Sequence, residues 1–514
     1  MVSTPRTTLR PAFLPSRRQF LAAVGVCAFG AGRHARAAGA AGCPNILFLF
    51  SDDQRADAMG CAGNPAIKTP HMDRLAADGI RFRNAFVTTS ICCVSRACVL
   101  TGQYARRHGI HDFARPLSDE AMAVTYPMRL KQAGYTTGFI GKWGIAANTI
   151  KQVSHAGGGF DFWAGASHQS NFWHEADCPF VTQSGTGPDR LANICTCPPD
   201  ARGRRGPGVR MGRKNIRKPV HLTTQIIPAK VDEFLRTRDR ARPFCLSISF
   251  KAPHAPWGDW APETRDLYRE GELPVPATAT PEAMAAKPAF LRGSLGSPGG
   301  ARLAGDHAVL RRQIAHYYRL VSTLDIAVGK IRETLARHGL ADNTVILFSS
   351  DNGHFLAEHG LMGKWLMYEP SVRVPLIIAD PRLPAAARGR TCDELALNID
   401  FAPTMLDLAG LPSRPRMQGR SLVPLLTRPE TKLREDFFYE HLYRTKGHPI
   451  ERTEGVRTRR WKYIRFIDQK PAWEELYDLE ADPHETRNLA GDAMHRATLE
   501  RLRARWQLYT RELT

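Results

Sequence analysis

Long hydrophobic runs, internal repeats and extremes of composition are all missing from this 514-residue sequence. Its apolar N-terminal stretch, Leu21–Gly30, is far shorter than the roughly 20 residues that a membrane-spanning helix needs. Hydrophobic residues make up 43% of the chain and charged residues 24%, a balance typical of globular proteins. The composition therefore excludes a disordered chain, a collagen-like fibre and a polytopic membrane protein.

Cysteine is also scarce: the chain has 11, and Cys27 lies in the N-terminal stretch. That number is too small for a fold held together mainly by disulfide bonds. Cys178, Cys195 and Cys197 lie together in a polar segment rich in glycine and proline, and we expect a disulfide bond among them. A zinc site is the alternative, although no clear fourth ligand stands at a standard spacing.

Acidic residues are outnumbered, with 50 Asp+Glu against 71 Lys+Arg and a formal net charge of +21. Such an excess favours a polyanionic partner, for example a nucleic acid, an anionic lipid or a sulfated or phosphorylated glycan. Much of it is arginine spread along the chain, so a bias of composition explains it equally well. We predict no nucleic-acid partner and no stable membrane insertion.

The N-terminus resembles an export signal. Residues 16–21 read Ser-Arg-Arg-Gln-Phe-Leu, a twin-arginine pattern, and Ala35-Arg36-Ala37 supplies a cleavage site. A lipoprotein signal through Cys27 is disfavoured because Val26 stands where a small residue should precede the cysteine. We expect residues 1–37 to be a twin-arginine signal peptide and the protein to reach the periplasm or the medium by the twin-arginine export machinery.

Short continuous apolar runs indicate β-strands that are buried on both faces. They are Asn45–Phe50, Thr137–Ile140, Cys245–Phe250, Val345–Phe348 and Val374–Ile378. Helical patterns lie between them, and the first begins at Thr69-Pro70, where the threonine is expected to cap the helix. The others are Ile226–Leu235, Ala308–His338 and Ala402–Ala409. Strands that alternate with helices predict an α/β fold with a mostly parallel central sheet sandwiched by helices.

Two segments interrupt this alternation. Residues 154–218 are predicted to be a long insertion, and Pro274–Gly305, rich in proline, alanine and glycine, a second long loop. Loops of this length are usually functional or mobile.

The pattern changes after about Leu426. Short strands are predicted at Phe437–Glu440 and Lys462–Phe466, and a basic helix near Met494–Leu513. We therefore expect a main domain of residues 38–426 and a smaller C-terminal α/β subdomain of residues 427–514.

Oxygen-bearing side chains follow two of the predicted buried strands. Asp52 and Asp53 end the first, and Asp351 and Asn352 follow the strand near residue 345. Adjacent carboxylates after a buried strand are costly unless something neutralises them. In such sheets ligands collect beyond the carboxyl ends of the strands, and an all-oxygen donor set suits Ca²⁺ first and Mg²⁺ second.

A segment between these strands, residues 90–102, reads SICCVSRACVLTG. It resembles the sulfatase signature C-x-P/A-S-R followed by T-G, with Cys92 in the first position. Further motifs of that family follow in the expected order from about Asn45 to Ala490. They are ILFLFSDDQ, GYTTGFIGKWG, SFKAPHAPW, FSSDNGHFLAEHGLMGKWLMYEPSVRVPLI, NIDFAPTMLDLAG, MQGRSLVPLL and ELYDLEADPHETRNLA.

The resemblance implies a type I sulfatase with the fold of the alkaline phosphatase superfamily, and it makes residues 38–426 the catalytic domain. In that family a formylglycine-generating enzyme oxidises the signature cysteine to formylglycine, whose hydrate attacks a sulfate ester. Carried over by position, Cys92 becomes the nucleophile and a metal ligand with Asp52, Asp53, Asp351 and Asn352. The other catalytic positions implied are Arg96, Lys142, His254, Lys364 and His354.

The sequence departs from the family pattern at three positions. Val94 stands where proline or alanine is usual, Cys93 directly follows Cys92, and Gly144 replaces the histidine that many members have after Lys-Trp. The general base is therefore unassigned, with His354, His108 and Asp351 as candidates.

We predict hydrolysis of a sulfate ester on a carbohydrate. One alternative is a phosphodiester or phosphonate monoester hydrolase that uses the same site. The other is a metal-stabilised glycan-binding protein in which Cys92 stays a thiol.

Overall fold

The computed structural model describes residues 42–146, 159–166, 169–178, 216–413, 416–444 and 449–513. The strands in this part of the chain are β1 (Asn45–Asp52), β2 (Ile80–Phe82), β3 (Ala85–Phe86), β4 (Thr136–Lys142), β5 (Phe162–Ala166), β6 (Trp173–Glu175), β7 (Pro219–His221), β8 (Phe244–Pro253), β9 (Thr344–Ser350), β10 (Phe355–Leu356), β11 (Met362–Gly363), β12 (Leu376–Ala379), β13 (Arg390–Cys392), β14 (Ala396–Leu397), β15 (Asp436–His441), β16 (Thr453–Thr458), β17 (Trp461–Phe466) and β18 (Trp473–Asp478).

The α-helices of the same residues are α1 (Pro70–Asp78), α2 (Cys92–Thr101), α3 (Ala105–His108), α4 (Asp119–Ala123), α5 (Tyr126–Gln132), α6 (Ile227–Thr237), α7 (Pro281–Ala285), α8 (Ala289–Arg292), α9 (Ser297–Ala304), α10 (His307–Arg337), α11 (Glu369–Val372), α12 (Phe401–Leu408), α13 (Val423–Thr427) and α14 (Arg496–Glu512). Within the described ranges, no helix combines the length and the apolar character needed to cross a membrane.

The described strands include an eight-stranded central sheet in the order β13-β2-β12-β9-β1-β8-β4-β5. The run β9-β1-β8-β4-β5 is parallel throughout, and β12 pairs antiparallel with both β9 and β2. Phe50 lies level with Ser249 of β8 and Ser349 of β9, so the carboxyl ends of these strands meet at one edge. The predicted mostly parallel α/β sheet is confirmed.

Side chains of β1 alternate between two apolar cores, as the pleat of a strand requires. Ile46, Phe48 and Phe50 join the core that includes α12, whereas Leu47 and Leu49 join the core that includes α10. All eight residues of β1 are buried, which explains why its sequence is continuously apolar from Ile46 to Phe50. The sheet is therefore sandwiched by helices.

The C-terminal segment forms a second, antiparallel sheet in the order β15-β16-β17-β18. Helix α14 buries Leu499 and Leu502 against Val456, Tyr463 and Leu476 of this sheet. The predicted strands lie within β15 and β17, whereas β16 and β18 were not predicted.

Two predictions about loops need correction. The predicted insertion 154–218 contains β5, which extends the central sheet beside β4, and β6, which pairs with β7. The segment Pro274–Gly305, predicted to be a loop, contains α7, α8 and α9. Proline preorganises the start of these short helices, and the Thr280 hydroxyl accepts a hydrogen bond from the Ala283 amide to cap α7.

Of the three cysteines expected to pair, Cys178 is buried in the core, and Cys195 and Cys197 lie outside the described residues.

The expected cap of α1 is also different. The Thr69 hydroxyl contacts the Gly60 amide and Asp73 instead of capping the helix. Asp325, buried on α10, accepts hydrogen bonds from the amides of His71 and Met72 and so satisfies the helix N-terminus.

Candidate active site

Four neighbouring strands of the central sheet bring polar side chains to one edge. Asp52 ends β1 and Lys142 ends β4, while His254 directly follows β8 and Asp351 directly follows β9. Parallel strands point their carboxyl ends the same way, so residues that lie far apart in the sequence meet beyond the sheet.

Helix α2 presents Cys92 to this edge as its first residue. Ile91 is extended and precedes the helix, so the Cys92 side chain lies where unpaired helical N–H groups favour negative charge. Cys92 Sγ lies 3.6 Å from Asp52 Oδ1 and 2.8 Å from Lys364 Nζ. Burial and the neighbouring Asp52 carboxylate raise the pKa of the Cys92 thiol to about 12.

Arg96 lies one helical turn after Cys92, on the same face of α2. Its Nε donates to Asp351 Oδ2 at 2.9 Å, and Nη1 donates to the Lys142 carbonyl at 3.1 Å. Nη2 forms an ion pair with the same Asp351 oxygen at 2.7 Å. Burial opposes the charge, but Asp351 and Asp52 raise the pKa of the guanidinium. Arg96 is thus a fixed, buried cation behind the thiol.

The carboxylates of Asp52, Asp53 and Asp351 form a cage with Cys92. One ligand atom from each of these four residues lies within 4.8 Å of the others, the spread expected around one cation bound at about 2.4 Å. Asn352 Nδ2 donates to Asp53 Oδ1 at 2.6 Å, while Asn352 Oδ1 is buried with no hydrogen-bond partner among the described residues. Three carboxylates and an orphaned amide oxygen fit a hard divalent cation.

Asp53 has a left-handed backbone, with φ of 66°. This conformation is uncommon for a residue with a side chain and is typical of functional sites. The Asp53 amide donates to Asp351 Oδ1 at 3.2 Å, and Tyr317 donates its hydroxyl to the Asp53 carbonyl at 2.9 Å. These bonds hold the strained residue in place.

Two lysines contact the cage. Lys142 Nζ lies 2.5 Å from Asp52 Oδ2, and Lys364 pairs with Asp53. Burial alone would raise the pKa of Asp52, but Lys142 and the other nearby cations hold it well below its ordinary value. Burial and Asp52 raise the pKa of Asp351 to about 6.

Among the described residues of this centre, three cations balance three carboxylates. They are Arg96, Lys142 and Lys364 against Asp52, Asp53 and Asp351. A bound divalent cation would leave a net positive charge, as an anionic substrate requires.

The two predicted histidines lie beside the cage. His254 Nε2 is 3.7 Å from Asp53 Oδ2, and its Nδ1 is 2.8 Å from the Ala255 carbonyl. His354 packs edge-on against Trp257, and burial lowers its pKa to about 4. His108, a candidate general base, contacts Cys98 Sγ at 3.3 Å and the Ile110 amide at 3.1 Å instead.

Comparison with known proteins places this arrangement in a family. The sequence model for Sulfatase matches residues 44–411, and that for N-sulphoglucosamine sulphohydrolase, C-terminal, matches residues 357–511. An N-acetylglucosamine-6-O-sulfatase of Bacteroides thetaiotaomicron is 30% identical over 515 residues, covering 88% of this chain and 83% of that protein. The chain belongs to the sulfatase family. It is a sulfuric ester hydrolase.

Solved structures of other proteins have the same fold as this sulfatase. A protein solved in complex with its substrate D-glucosamine-2-N,6-O-disulfate superposes with a TM-score of 0.71 at 26% identity, covering 92% of this chain and 98% of that one. A phosphonate monoester hydrolase of Agrobacterium radiobacter has the same fold, with a TM-score of 0.68 at 22% identity and coverage of 92% and 96%.

Sequence reasoning did not identify every residue at the centre of this sulfatase. Gln169 Nε2 donates to Asp52 Oδ2 at 2.6 Å, and Gln169 Oε1 is buried with no partner among the described residues. Ser249 and Tyr317 also contact Arg96 and Asp53, respectively. Gln169 lies in the predicted insertion, where no spacing rule gives it a signal. Ser249 lies inside β8 and within the predicted run Cys245–Phe250, so its sequence position gave no signal either.

The structure shows what surrounds Gly144, the glycine that follows Lys142-Trp143 in this sulfatase. Gly144 has φ of 80°, and a Cβ at this position would lie 2.6 Å from Arg96 Cδ. Any side chain here would displace the guanidinium or the backbone. The close approach of Arg96 therefore leaves no space for a side chain at residue 144 in this structure.

Proposed function

We propose that this sulfatase hydrolyses the sulfate ester of a carbohydrate through a formylglycine hydrate formed from Cys92, with Ca²⁺ as the bound cation and Mg²⁺ as the second choice. One observation carries the proposal: Cys92 Sγ lies between the carboxylate of Asp52 and the ammonium of Lys364. A nucleophile at this position contacts both the cation cage and a group that binds anions.

The cation would be held by the side chains of the cage and by the oxidised residue 92. These ligands are Asp52, Asp53, Asp351 and Asn352. When bound, the ion supplies positive charge that favours an ionised oxygen on residue 92 and attracts the sulfate group. The aldehyde hydrate supplies two hydroxyls, one to attack sulfur and one to re-form the carbonyl as sulfate leaves.

The other residues orient the reactants and move protons. Arg96 stabilises negative charge that develops on residue 92, because its guanidinium is fixed by Asp351. Lys142 and Lys364 bind the sulfate oxygens. His254 donates a proton to the leaving alcohol, and His354 orients the substrate beside it.

The substrate class follows from the relatives and the charge. An N-acetylglucosamine-6-O-sulfatase, a structure with a sulfated glucosamine and a C-terminal match to N-sulphoglucosamine sulphohydrolase all concern sulfated amino sugars. The basic excess of this chain favours the same anionic class of substrate. We therefore propose a sulfated amino sugar of a glycan.

Mass spectrometry of the tryptic peptide Asn84–Arg96 tests the nucleophile. In active, natively produced protein, an aldehyde should replace one thiol. An unmodified Cys92 in such a preparation would remove the mechanism.

Parallel assays on an aryl sulfate, an aryl phosphate, a phosphonate monoester and a panel of sulfated sugars test the substrate class. We expect sulfated amino sugars to give the highest kcat/KM. Preference for a phosphonate or phosphate ester would support the alternative hydrolase, and glycan binding without turnover would support a binding protein.

The maturation route and domain limits belong to the same proposal. Residues 1–37 would direct export by the twin-arginine machinery after a formylglycine-generating enzyme has oxidised Cys92, and residues 427–514 would form the C-terminal subdomain. Replacing Arg17 and Arg18 together by lysine should retain the protein in the cytoplasm. Protein from the periplasm or medium should begin at Ala38, and an intact N-terminus there would contradict the proposal.

A further inference from the structure

Strand β15 is one of the two edge strands of the C-terminal sheet, and it is covered by the segment that leads to Cys92. The Glu440 amide donates to the Thr88 carbonyl at 3.0 Å, which satisfies part of the edge that pairs with no strand of this sheet. The Glu440 carboxylate accepts from Arg106 Nε at 2.8 Å and from the Arg106 amide at 3.0 Å. The second sheet is thus hydrogen-bonded directly to the region of the active site.

The neighbouring residue, Tyr439, is completely buried, and its hydroxyl makes two bonds. It accepts from the Ser90 amide at 3.2 Å and donates to the Trp365 carbonyl at 2.6 Å. Ser90 lies two residues before Cys92, and Trp365 directly follows Lys364. One hydroxyl therefore joins the two backbone segments that carry the proposed nucleophile and the proposed sulfate-binding lysine.

A third bond closes this connection. The Trp365 amide donates to the Ser90 carbonyl at 3.1 Å, so Ser90, Trp365 and the Tyr439 hydroxyl form a ring of three hydrogen bonds. Trp365 has φ of 83°, a conformation that a bulky residue adopts only where its surroundings hold it. The ring supplies this support at the residue next to Lys364.

We propose that Tyr439 is a positioning residue for the sulfatase reaction, in which its hydroxyl sets the relative position of Cys92 and Lys364. The inference rests on the proposed function of these two residues. Burial raises the pKa of Tyr439, so the hydroxyl stays protonated and keeps its donor role. The C-terminal sheet would then contribute to catalysis without contacting the substrate.

Tyr439→Phe tests this role because it removes the hydroxyl and keeps the ring. Tyr463→Phe is the matched control: Tyr463 is also completely buried in this sheet, but its hydroxyl donates to Glu474, away from both site segments. Both variants are purified as full-length chains, and their formylglycine content is measured by mass spectrometry. Activity on an aryl sulfate is then normalised to that content.

We expect Tyr439→Phe to lower kcat on the order of 10- to 100-fold, the range expected when reacting groups lose alignment. KM should change less than about twofold, and Tyr463→Phe should stay within about twofold of wild type in kcat. Equal kcat values for the two variants, beside an active wild type, would overturn the inference. An inactive wild type would instead count against the proposed function.

Hydrogen exchange provides a second measurement that does not need turnover. Loss of the Tyr439 hydroxyl leaves the Ser90 amide without its acceptor, so the peptide 84–96 should exchange faster in Tyr439→Phe and unchanged in Tyr463→Phe. Unchanged exchange in Tyr439→Phe would contradict the inference whatever the activity.

Discussion

Lys364 Nζ lies 2.8 Å from Cys92 Sγ, although the two residues are 272 positions apart in the chain. The lysine favours a thiolate, but burial and Asp52 prevail and raise the pKa of the thiol to about 12. Without a bound cation, an unmodified Cys92 is therefore protonated at neutral pH and is a poor nucleophile. The proposed reaction uses the oxidised residue instead.

Cys92→Ala should abolish turnover, a loss of at least about 1,000-fold in kcat, because no other group in the cage carries a nucleophilic hydroxyl or thiol. Cys93→Ala is the control, since Cys93 is buried in an apolar cluster with Ile91, Val94 and Ala105. It should retain kcat within about tenfold after correction for formylglycine content. Substantial turnover by Cys92→Ala on an aryl sulfate would refute the assignment of the nucleophile.

Removing divalent cations should lower both activity and Tm. A ligand that binds only the native state at about 100 times its Kd stabilises it by roughly 2.7 kcal/mol, so adding Ca²⁺ back should restore several degrees of Tm. The Asp53→Asn variant should lose most of this increase in Tm on addition of Ca²⁺. Asp468→Asn, which changes a carboxylate paired with Arg452 on the C-terminal sheet, should keep it. If neither the chelator nor added Ca²⁺ changes the Tm of the wild type, the cation site is excluded.

Gly144→Ala should lower both Tm and kcat, because the added Cβ would approach Arg96 Cδ to 2.6 Å and displace it. Gly109→Ala is matched in backbone strain, with φ of 74° against 80°, but nothing lies within 4 Å of its Cβ. We expect Gly109→Ala to cost about 1 kcal/mol and Gly144→Ala about 1–3 kcal/mol more. The measurements are Tm from thermal unfolding and kcat for both variants. Equal changes in the two variants would show that the backbone conformation of Gly144, and not the contact with Arg96, requires glycine.

Asp325→Asn should change how stability depends on pH. Burial raises the pKa of Asp325 to about 7, above the value near 3.9 of an unfolded chain. Between these pH values the native state binds more protons than the unfolded chain. The contribution of Asp325 to the unfolding free energy is therefore complete below about pH 4 and is lost as the pH rises through 7.

Measured from pH 5 to pH 8, the unfolding free energy of the wild type should fall by roughly 2–3 kcal/mol relative to Asp325→Asn. Asp342→Asn, which changes an exposed carboxylate, should show the same pH dependence of the unfolding free energy as the wild type. A constant difference between the wild type and Asp325→Asn across this range would show that Asp325 does not titrate there.

The central sheet could be predicted because strands buried on both faces have continuous apolar sequences, as in Asn45–Phe50. Strands β16 and β18 could not, because their sequences are largely polar. Their buried charges have partners from distant segments: Glu454 pairs with Arg106, and Glu475 accepts from Tyr368. Such partners appear only when the chain is folded.

The same distinction applies to the site. Asp52, Cys92 and Asp351 stand in local patterns that the sequence displays. Gln169 and Tyr439 reach the centre through tertiary contacts, and no nearby motif marks them. Their roles could be recognised only from the structure.

The strand order of the central sheet also has a consequence for biosynthesis. Cys92 leaves the ribosome about 260 residues before Asp351 and Lys364, so at roughly 5–20 residues per second the incomplete chain lacks both of these residues for about 15–50 s. In the finished protein only 3% of Cys92 is accessible. A maturation enzyme would therefore have its best access to the thiol during translation, and slower folding of the second half of the chain would lengthen that interval.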